Sequence, residues 1–319
     1  HTYGMLLENS VLKGGQTRPG TDAYNTDDAT IAFAYNKVGV KAVNSTINTS
    51  GNFDVYNNHT GIVLDNSLLS TDRLTVENHT HDGILADNSI IQYNNSQERR
   101  LYGIDVSGTR MAQTLFYRNG THLTLKNGSR MNYFNDLSSI SLPSKFGALR
   151  FADNHGVGNP QDHVDHKISL PAIQVENSKA DFLHARIVAS SITDNGPSFR
   201  GAVDATDGAA VNFIGTGSGA TIIQGAEDVR KHAIGVFVDT NSKVNFAGPT
   251  LICQFANDVV ADNNSTIEFT PKRKYNNCPD ASAFDLQHVR NHTSVELHSY
   301  YKSCLVANNN SQIIMEDLG

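Results

Sequence analysis

The chain has 319 residues, of which 39% are hydrophobic, and a formal net charge of -7. This acidic balance disfavours nucleic acid as a partner, because binding to phosphates requires an excess of Lys and Arg. No stretch approaches the 18 or more consecutive apolar residues of a membrane span, so the sequence predicts none.

A short pattern recurs along the whole chain. A small residue, usually Gly, precedes a few alternating apolar residues, and an Asn, Asp or Gly corner with Ser follows them. The copies, in chain order, are GMLLENSV at Gly4, GVKAVNST at Gly39, GIVLDNSLLST at Gly61, GILADNSIIQY at Gly83, GIDVSGTRM at Gly103, LTLKNGSRMNYF at Leu123, AIQVENSKADF at Ala172, AVDATDGAAVNF at Ala202, GVFVDTNSKVNF at Gly235, DVVADNNSTIEF at Asp258 and CLVANNNSQIIM at Cys304.

Each copy predicts two short strands joined by a sharp corner. The apolar runs have strand length and alternation, and patterns of helix length are absent. Asn, Asp and Gly tolerate the left-handed backbone that a sharp corner requires. Persistent repetition of such a unit is typical of a solenoid. We therefore predict an all-β, right-handed, single-stranded parallel β-helix.

The repeat covers the whole chain, which predicts one continuous domain over residues 1–319. About 12 or 13 coils, at about 4.8 Å each, would form a rod of roughly 60 Å. Residues 130–171 interrupt the repeat and are predicted to be an irregular insertion between coils. Because the first and last residues lie within or directly beside repeats, we expect a fragment of a longer chain.

Two acidic residues occupy equivalent positions in neighbouring copies. Asp65 and Asp87 precede the Asn-Ser corners and should lie one coil apart. A separation of about 5 Å would match the carboxylates of a retaining glycosidase, or ligands of a calcium ion. Acids beside such corners also accept hydrogen bonds from turn amides. These two residues are the candidate catalytic pair.

The stretch NHGVGNPQDHVDHK at residues 154–167 is the densest group of potential metal ligands. Its candidate metal ligands are His155, Asp162, His163, Asp165 and His166, with His184 further along the chain. His163 and His166 would share a metal only in a helical turn. The alternative is a solvated loop, and Asp162, His163, Asp165 and His166 would then form a contact loop toward another subunit or a receptor.

Three cysteines, Cys253, Cys278 and Cys304, are spaced by about one coil each and would project at similar positions around the helix. Buried free thiols are expected, since the count is odd and no CxxC occurs. We expect no cofactor.

The segments SKVNFAGPTLICQFANDVVADNNSTIEF and HTSVELHSYYKSCLVANNNSQIIMEDLG, at residues 242–269 and 292–319, resemble the β-helical virion structural proteins of tailed phages. The earlier coils resemble this family, pectin-lyase-like β-helices and autotransporter passengers only through the shared repeat. The resemblance implies a tail, fibre or baseplate component.

The expected function is therefore a non-enzymatic structural or receptor-facing β-helix of a phage virion. Its expected partners are other virion subunits, including two further copies in a homotrimer, and a host glycan or receptor. Two alternatives remain open: a β-helix polysaccharide lyase or glycoside hydrolase, and an adhesin on a bacterial cell surface.

Overall fold

The computed structural model describes residues 1–14, 30–93, 115–132, 150–154, 171–183, 185–189, 201–215, 221–225, 234–270, 295–298 and 304–315. Within these ranges the structure has 27 β-strands and no helix. A search of the same residues found no helix with the length and apolar character needed to cross a membrane.

Ten parallel strands form the first face of the molecule. In chain order they are β1 (Tyr3–Glu8), β4 (Val38–Val43), β6 (Thr60–Asp65), β8 (Asp82–Asp87), β11 (Thr121–Lys126), β14 (Ile173–Glu176), β17 (Gly201–Thr206), β20 (Ile234–Val238), β23 (Asn257–Ala261) and β26 (Leu305–Ala307). Each strand pairs in register with the next of this series, as Val40 does with Ile62 and Ile62 with Ile84.

A second sheet of 17 strands contains two further parallel ladders. The second face comprises β2 (Val11–Gly14), β5 (Thr46–Tyr56), β7 (Leu68–Glu77), β9 (Ile90–Tyr93), β12 (Arg130–Asn132), β15 (Lys179–Leu183), β18 (Ala210–Ile214), β21 (Lys243–Ala247), β24 (Thr266–Thr270) and β27 (Gln312–Met315). The third face comprises β3 (Thr30–Ala34), the second halves of β5 and β7, β10 (Leu115–Tyr117), β13 (Arg150–Asn154), β16 (Arg186–Ala189), β19 (Thr221–Gly225), β22 (Thr250–Cys253) and β25 (Val295–His298).

The chain passes through the three faces in turn and returns to the first, which is the path of a parallel β-helix, as predicted. The described residues form ten coils rather than 12 or 13. The difference arises because some copies are separated by long connections. Strand β8 pairs directly with β11 on the first face, and the copy at Gly103 lies in the segment of chain between them. That copy lies outside the described residues.

The predicted insertion at 130–171 contains two strands of the helix. Residues 130–132 form β12, which pairs with β9 and β15, and residues 150–154 form β13, which pairs with β10 and β16. Residues 133–149 and 155–170 of this stretch lie outside the described residues.

Inward side chains of the three faces form one continuous apolar core. Ile62, Leu64 and Ile84 are completely buried, as the repeat predicts, while Leu85 lies on the outer side and is partly exposed. On the second face the phenylalanines stack from coil to coil, at ring separations of 5.0–5.2 Å along Phe182, Phe213, Phe246 and Phe269. Burial of large apolar groups in matched columns supplies most of the stabilisation.

The corner between the first and second faces, the serine corner, explains the Asn-Ser pair of the repeat. Each corner turns through a residue with positive φ, such as Asn44 (48°) and Asn66 (50°). Asn tolerates this conformation better than most residues. Corner amides also bond along the axis: Nδ2 of Asn66 donates to Oδ1 of Asn44 at 2.7 Å, and Nδ2 of Asn88 to Oδ1 of Asn66 at 3.3 Å.

The corner serines form a second chain of hydrogen bonds, which is buried. The N–H of Ser45 donates to Oγ of Ser67, and the N–H of Ser67 donates to Oγ of Ser89, both at 3.0 Å. Each hydroxyl in turn donates to a carbonyl of its own coil, as Ser67 does to the Asp65 oxygen at 2.8 Å. The hydroxyl thus satisfies two backbone groups at a position that excludes water.

Candidate functional site

The two acids that were predicted as a catalytic pair lie beside the serine corner. Asp65 and Asp87 are register partners at the ends of β6 and β8, so the expected adjacency is confirmed. Oδ1 of Asp87 accepts a hydrogen bond from Nδ2 of Asn127 at 2.8 Å. The Asp65 side chain is exposed. This arrangement matches the alternative in which an acid beside a corner accepts a hydrogen bond from an amide of a turn.

The other predicted ligands and contact residues, His155, Asp162, His163, Asp165, His166 and His184, lie outside the described residues, as does Cys278. Cys253 and Cys304 are free thiols of intermediate burial. They do not share one position around the helix: Cys253 ends β22 on the third face, whereas Cys304 directly precedes β26 on the first. The spacing argument failed because the connections between coils differ in length.

The buried carboxyl of Asp258 interacts with both thiols. Asp258 is completely buried at the start of the first face, where most other coils carry Gly or Ala. Burial raises the pKa of the Asp258 carboxyl to about 7, and a hydrogen bond with Cys304 opposes this effect. Burial, together with the negative charge of Asp258, raises the pKa of the Cys253 thiol to about 11. Cys253 is therefore a protonated, unreactive thiol at neutral pH.

The corner at which the third face returns to the first, the return corner, carries the most distinctive chemistry among the described residues. Its coils turn through positive-φ residues, including Asn57 (54°) and Asn78 (58°). The next residue in each coil is buried and points inward. His79 occupies this position with no exposed surface, between Asn58 in the coil before it and Asn119 in the coil after it.

His79 replaces an asparagine in this inner chain of hydrogen bonds. Its Nδ1 accepts the Asn58 N–H at 3.1 Å, and its Nε2 lies 3.1 Å from the Val55 carbonyl. These roles assign the tautomer with the proton on Nε2. A Cβ at Gly61 would lie 2.4 Å from the carbonyl oxygen of Gly83 in the next coil and 2.5 Å from that Nε2, so this position requires glycine.

The outer side of the return corner brings together two histidines and an aspartate. The rings of His59 and His81, in neighbouring coils, have centroids 5.7 Å apart. Nδ1 of His59 lies 2.7 Å from Oγ1 of Thr80, and Nδ1 of His81 lies 2.6 Å from Oδ2 of Asp82. We call His59, Thr80, His81 and Asp82 the histidine cluster.

Asp82 controls the electrostatics of the histidine cluster. Its hydrogen bond raises the pKa of the His81 imidazole, and this effect exceeds the opposing effect of burial. Oδ1 of Asp82 accepts a second hydrogen bond from the Thr124 hydroxyl at 2.9 Å. The carboxylate is thus held by the following coil while it orients the imidazole.

Comparison with protein-family models, with curated proteins and with solved structures found no match.

Two tyrosines extend the return corner along the helix axis. The Tyr35 side chain is 76% exposed and meets Tyr56 edge-on at a centroid separation of 6.4 Å. Nδ2 of Asn57 donates to the Tyr35 hydroxyl at 3.3 Å. Exposed aromatic rings with polar neighbours are suited to contact with another molecule.

Sequence reasoning missed the histidine cluster. The signal was present: NNHTG at residues 57–61 and NHTHDG at residues 78–83 both precede a repeat glycine, so their histidines recur at one corner. The repeat was defined by its Asn-Ser corner, and the residues before each repeat glycine were not compared. Only the structure shows that His79 points inward whereas His59 and His81 remain outside.

Proposed function

We propose that the chain is a non-enzymatic structural rod of a tailed-phage virion, in a tail, fibre or baseplate, with an outer surface available to a receptor. The observation that carries this proposal is the unbroken stacking of ten coils in three parallel ladders. A coil that is hydrogen-bonded on every face to its neighbours resists bending, as a shaft must.

The corners support a mechanical role. At the serine corner, hydroxyl and amide chains connect successive coils through bonds of about 3 Å, such as that from Ser265 N–H to Ser311 Oγ. These bonds lie beside the parallel ladders and fix the corner against slippage. The assignment to a phage particle comes from the resemblance of residues 242–269 and 292–319, and it implies other virion subunits as partners, with a homotrimer as the expected assembly.

The source particle provides the test. Antibodies raised against the chain, applied to purified virions and to intact host cells, should label one defined position on the virion in negative-stain images. Labelling of the cell surface without labelling of virions would favour the adhesin alternative instead.

The contact role of residues 155–166 is tested separately. Removal of residues 156–166 should leave the thermal midpoint of the rod nearly unchanged but abolish particle assembly or host attachment. If the deleted protein unfolds, or if assembly and attachment both persist, this segment is not the contact loop.

The polysaccharide-cleaving alternative is favoured by one observation, the register pairing of Asp65 and Asp87. Against it, Asp87 is already engaged by the Asn127 amide. The Asp65 side chain is exposed to solvent at the end of its strand.

A further inference from the structure

The outer side of the return corner presents two imidazoles that the structural role of the corner does not require. The buried asparagines and His79 already satisfy the backbone there. His59 is exposed, and the His81 side chain retains 44% of its accessible surface. Both rings are therefore reachable from solvent.

The hydrogen bonds allow the same tautomer in both rings. The Thr80 hydroxyl lies 3.4 Å from the His59 carbonyl and 2.7 Å from Nδ1 of His59. When the hydroxyl donates to the carbonyl, its oxygen accepts the proton on Nδ1. Because a carboxylate only accepts, Asp82 takes the proton on Nδ1 of His81. In their neutral forms both histidines thus carry a free lone pair on Nε2.

This is the arrangement found around histidines that bind metal ions. A metal-binding imidazole normally donates its other N–H to a carboxylate or another oxygen, which fixes the ring and increases the basicity of the ligating nitrogen. Here Thr124 holds Asp82, and Asp82 holds His81. The backbone is fixed as well, since the His81 N–H donates to the His59 carbonyl at 2.9 Å.

The ring separation also suits one shared ion. Zn–N bonds of about 2.0–2.1 Å place the centres of two imidazoles on one tetrahedral ion roughly 5 Å apart. The observed centroid separation of 5.7 Å is close to this value. We propose that Nε2 of His59 and Nε2 of His81 bind a divalent transition-metal ion of the zinc class on the outside of the return corner.

The proposed site has two protein ligands, with water in the remaining positions. No group of three or more His, Cys, Asp or Glu residues suited to a metal occurs among the described residues. Imidazole nitrogen favours zinc, copper and nickel over calcium and magnesium, which prefer oxygen. A site with open positions also allows a ligand from a partner molecule to complete the coordination. This inference does not depend on the proposed virion role.

Zinc titration of the whole chain, followed by calorimetry, tests the proposal. His59→Ala and His81→Ala should each weaken zinc binding at least ten-fold, with no further loss in the double variant. Asp82→Asn, which retains the shape of the side chain, should weaken binding about 10- to 100-fold. His1→Ala removes another exposed histidine and should leave binding unchanged.

Spectroscopy compares the unaltered chain with His59→Ala, because the chain carries other histidines, including His155, His163 and His166. One equivalent of Cu²⁺ should give electron paramagnetic resonance couplings from two imidazole nitrogens in the unaltered chain and from one in the variant. The proposal fails if the chain does not bind zinc in the millimolar range, if the His59→Ala and His81→Ala variants bind as the parent does, or if copper shows fewer than two imidazoles.

Discussion

One coil of the serine corner lacks the serine itself, and supplying a hydroxyl there should stabilise the protein. Ser178 faces Ala209 in the next coil, since Lys179 and Ala210 are register partners. Position 209 carries Ala where the neighbouring coils carry Ser178 and Ser242, so it has no hydroxyl to accept the Ser178 N–H. Ala209 is 1% exposed, so water does not replace the missing hydroxyl. The substitution Ala209→Ser supplies this hydroxyl.

An equivalent corner shows where the new oxygen would lie. Lys126-Asn127-Gly128-Ser129 and Thr206-Asp207-Gly208-Ala209 both turn through two positive-φ residues, at 54° and 84° in the first and 58° and 81° in the second. Oγ of Ser129 accepts the Ser89 N–H at 3.0 Å and donates to the Lys126 carbonyl at 2.7 Å. At position 209 the hydroxyl should accept the Ser178 N–H and donate to the Thr206 carbonyl.

The expected gain is about 1 kcal/mol in the free energy of unfolding, the usual net contribution of a hydrogen bond formed by groups already in place. A hydroxyl buried without partners would instead cost about 1–3 kcal/mol, so even the sign of the change is informative. Guanidinium denaturation gives the global change. Hydrogen exchange at the Ser178 amide, slowed about five-fold by 1 kcal/mol, gives the local change.

Ser129→Ala is the matched control, because it removes a hydroxyl that already makes both bonds. It should destabilise the protein by about 1–3 kcal/mol by leaving the buried Ser89 N–H unsatisfied. If Ala209→Ser destabilises the protein while Ser129→Ala is neutral, the serine chain has no energetic role and the reasoning is wrong.

Three further predictions concern the core, the buried acid and catalysis. Leu64→Asp should destabilise the protein by several kcal/mol in denaturant unfolding, because it places a charge without a partner in the core. Unfolded Asp258 loses its proton near pH 3.8 but the folded carboxyl keeps it until about pH 7, so stability should fall as the pH rises between these values. Three pK units correspond to about 4 kcal/mol at most, and Asp258→Asn should abolish this slope in unfolding measured from pH 4 to pH 8. A panel of bacterial capsular and lipopolysaccharide glycans should yield no oligosaccharides; products that disappear in Asp65→Asn or Asp87→Asn would instead establish the enzyme alternative.

The sequence predicts the fold well because the strands and corners of the repeat are determined by residues that lie close together in the chain. Alternating apolar residues define strands such as β6 and β8, and Asn66 and Asn88 supply the positive φ of the corners, so neighbouring residues are sufficient evidence. The described residues form ten coils where 12 or 13 were predicted for the chain, because β8 pairs directly with β11 across the segment that contains the copy at Gly103. The number of coils depends on which distant strands pair, and the local sequence pattern does not contain that information.

The candidate site was less predictable for a related reason. The pairing of Asp65 and Asp87 follows from the 22-residue spacing of their copies. The histidine cluster depends on the direction of each side chain at an irregular turn, where His79 enters the interior and His81, two residues later, stays outside. Turn geometry of this kind follows from the neighbouring coils rather than from residue type.

The matching of residues from coil to coil also makes the length of the molecule adjustable in whole steps. Excision of residues 61–82 would join Thr60 to Gly83 and place Ile84 against Val40, while the Ser45 N–H would find Ser89 in place of Ser67. Gene duplication or deletion of such a segment would lengthen or shorten the rod by about 4.8 Å without creating a new kind of contact. The length of the rod can thus change in evolution by whole coils, while the loops between strands diverge independently.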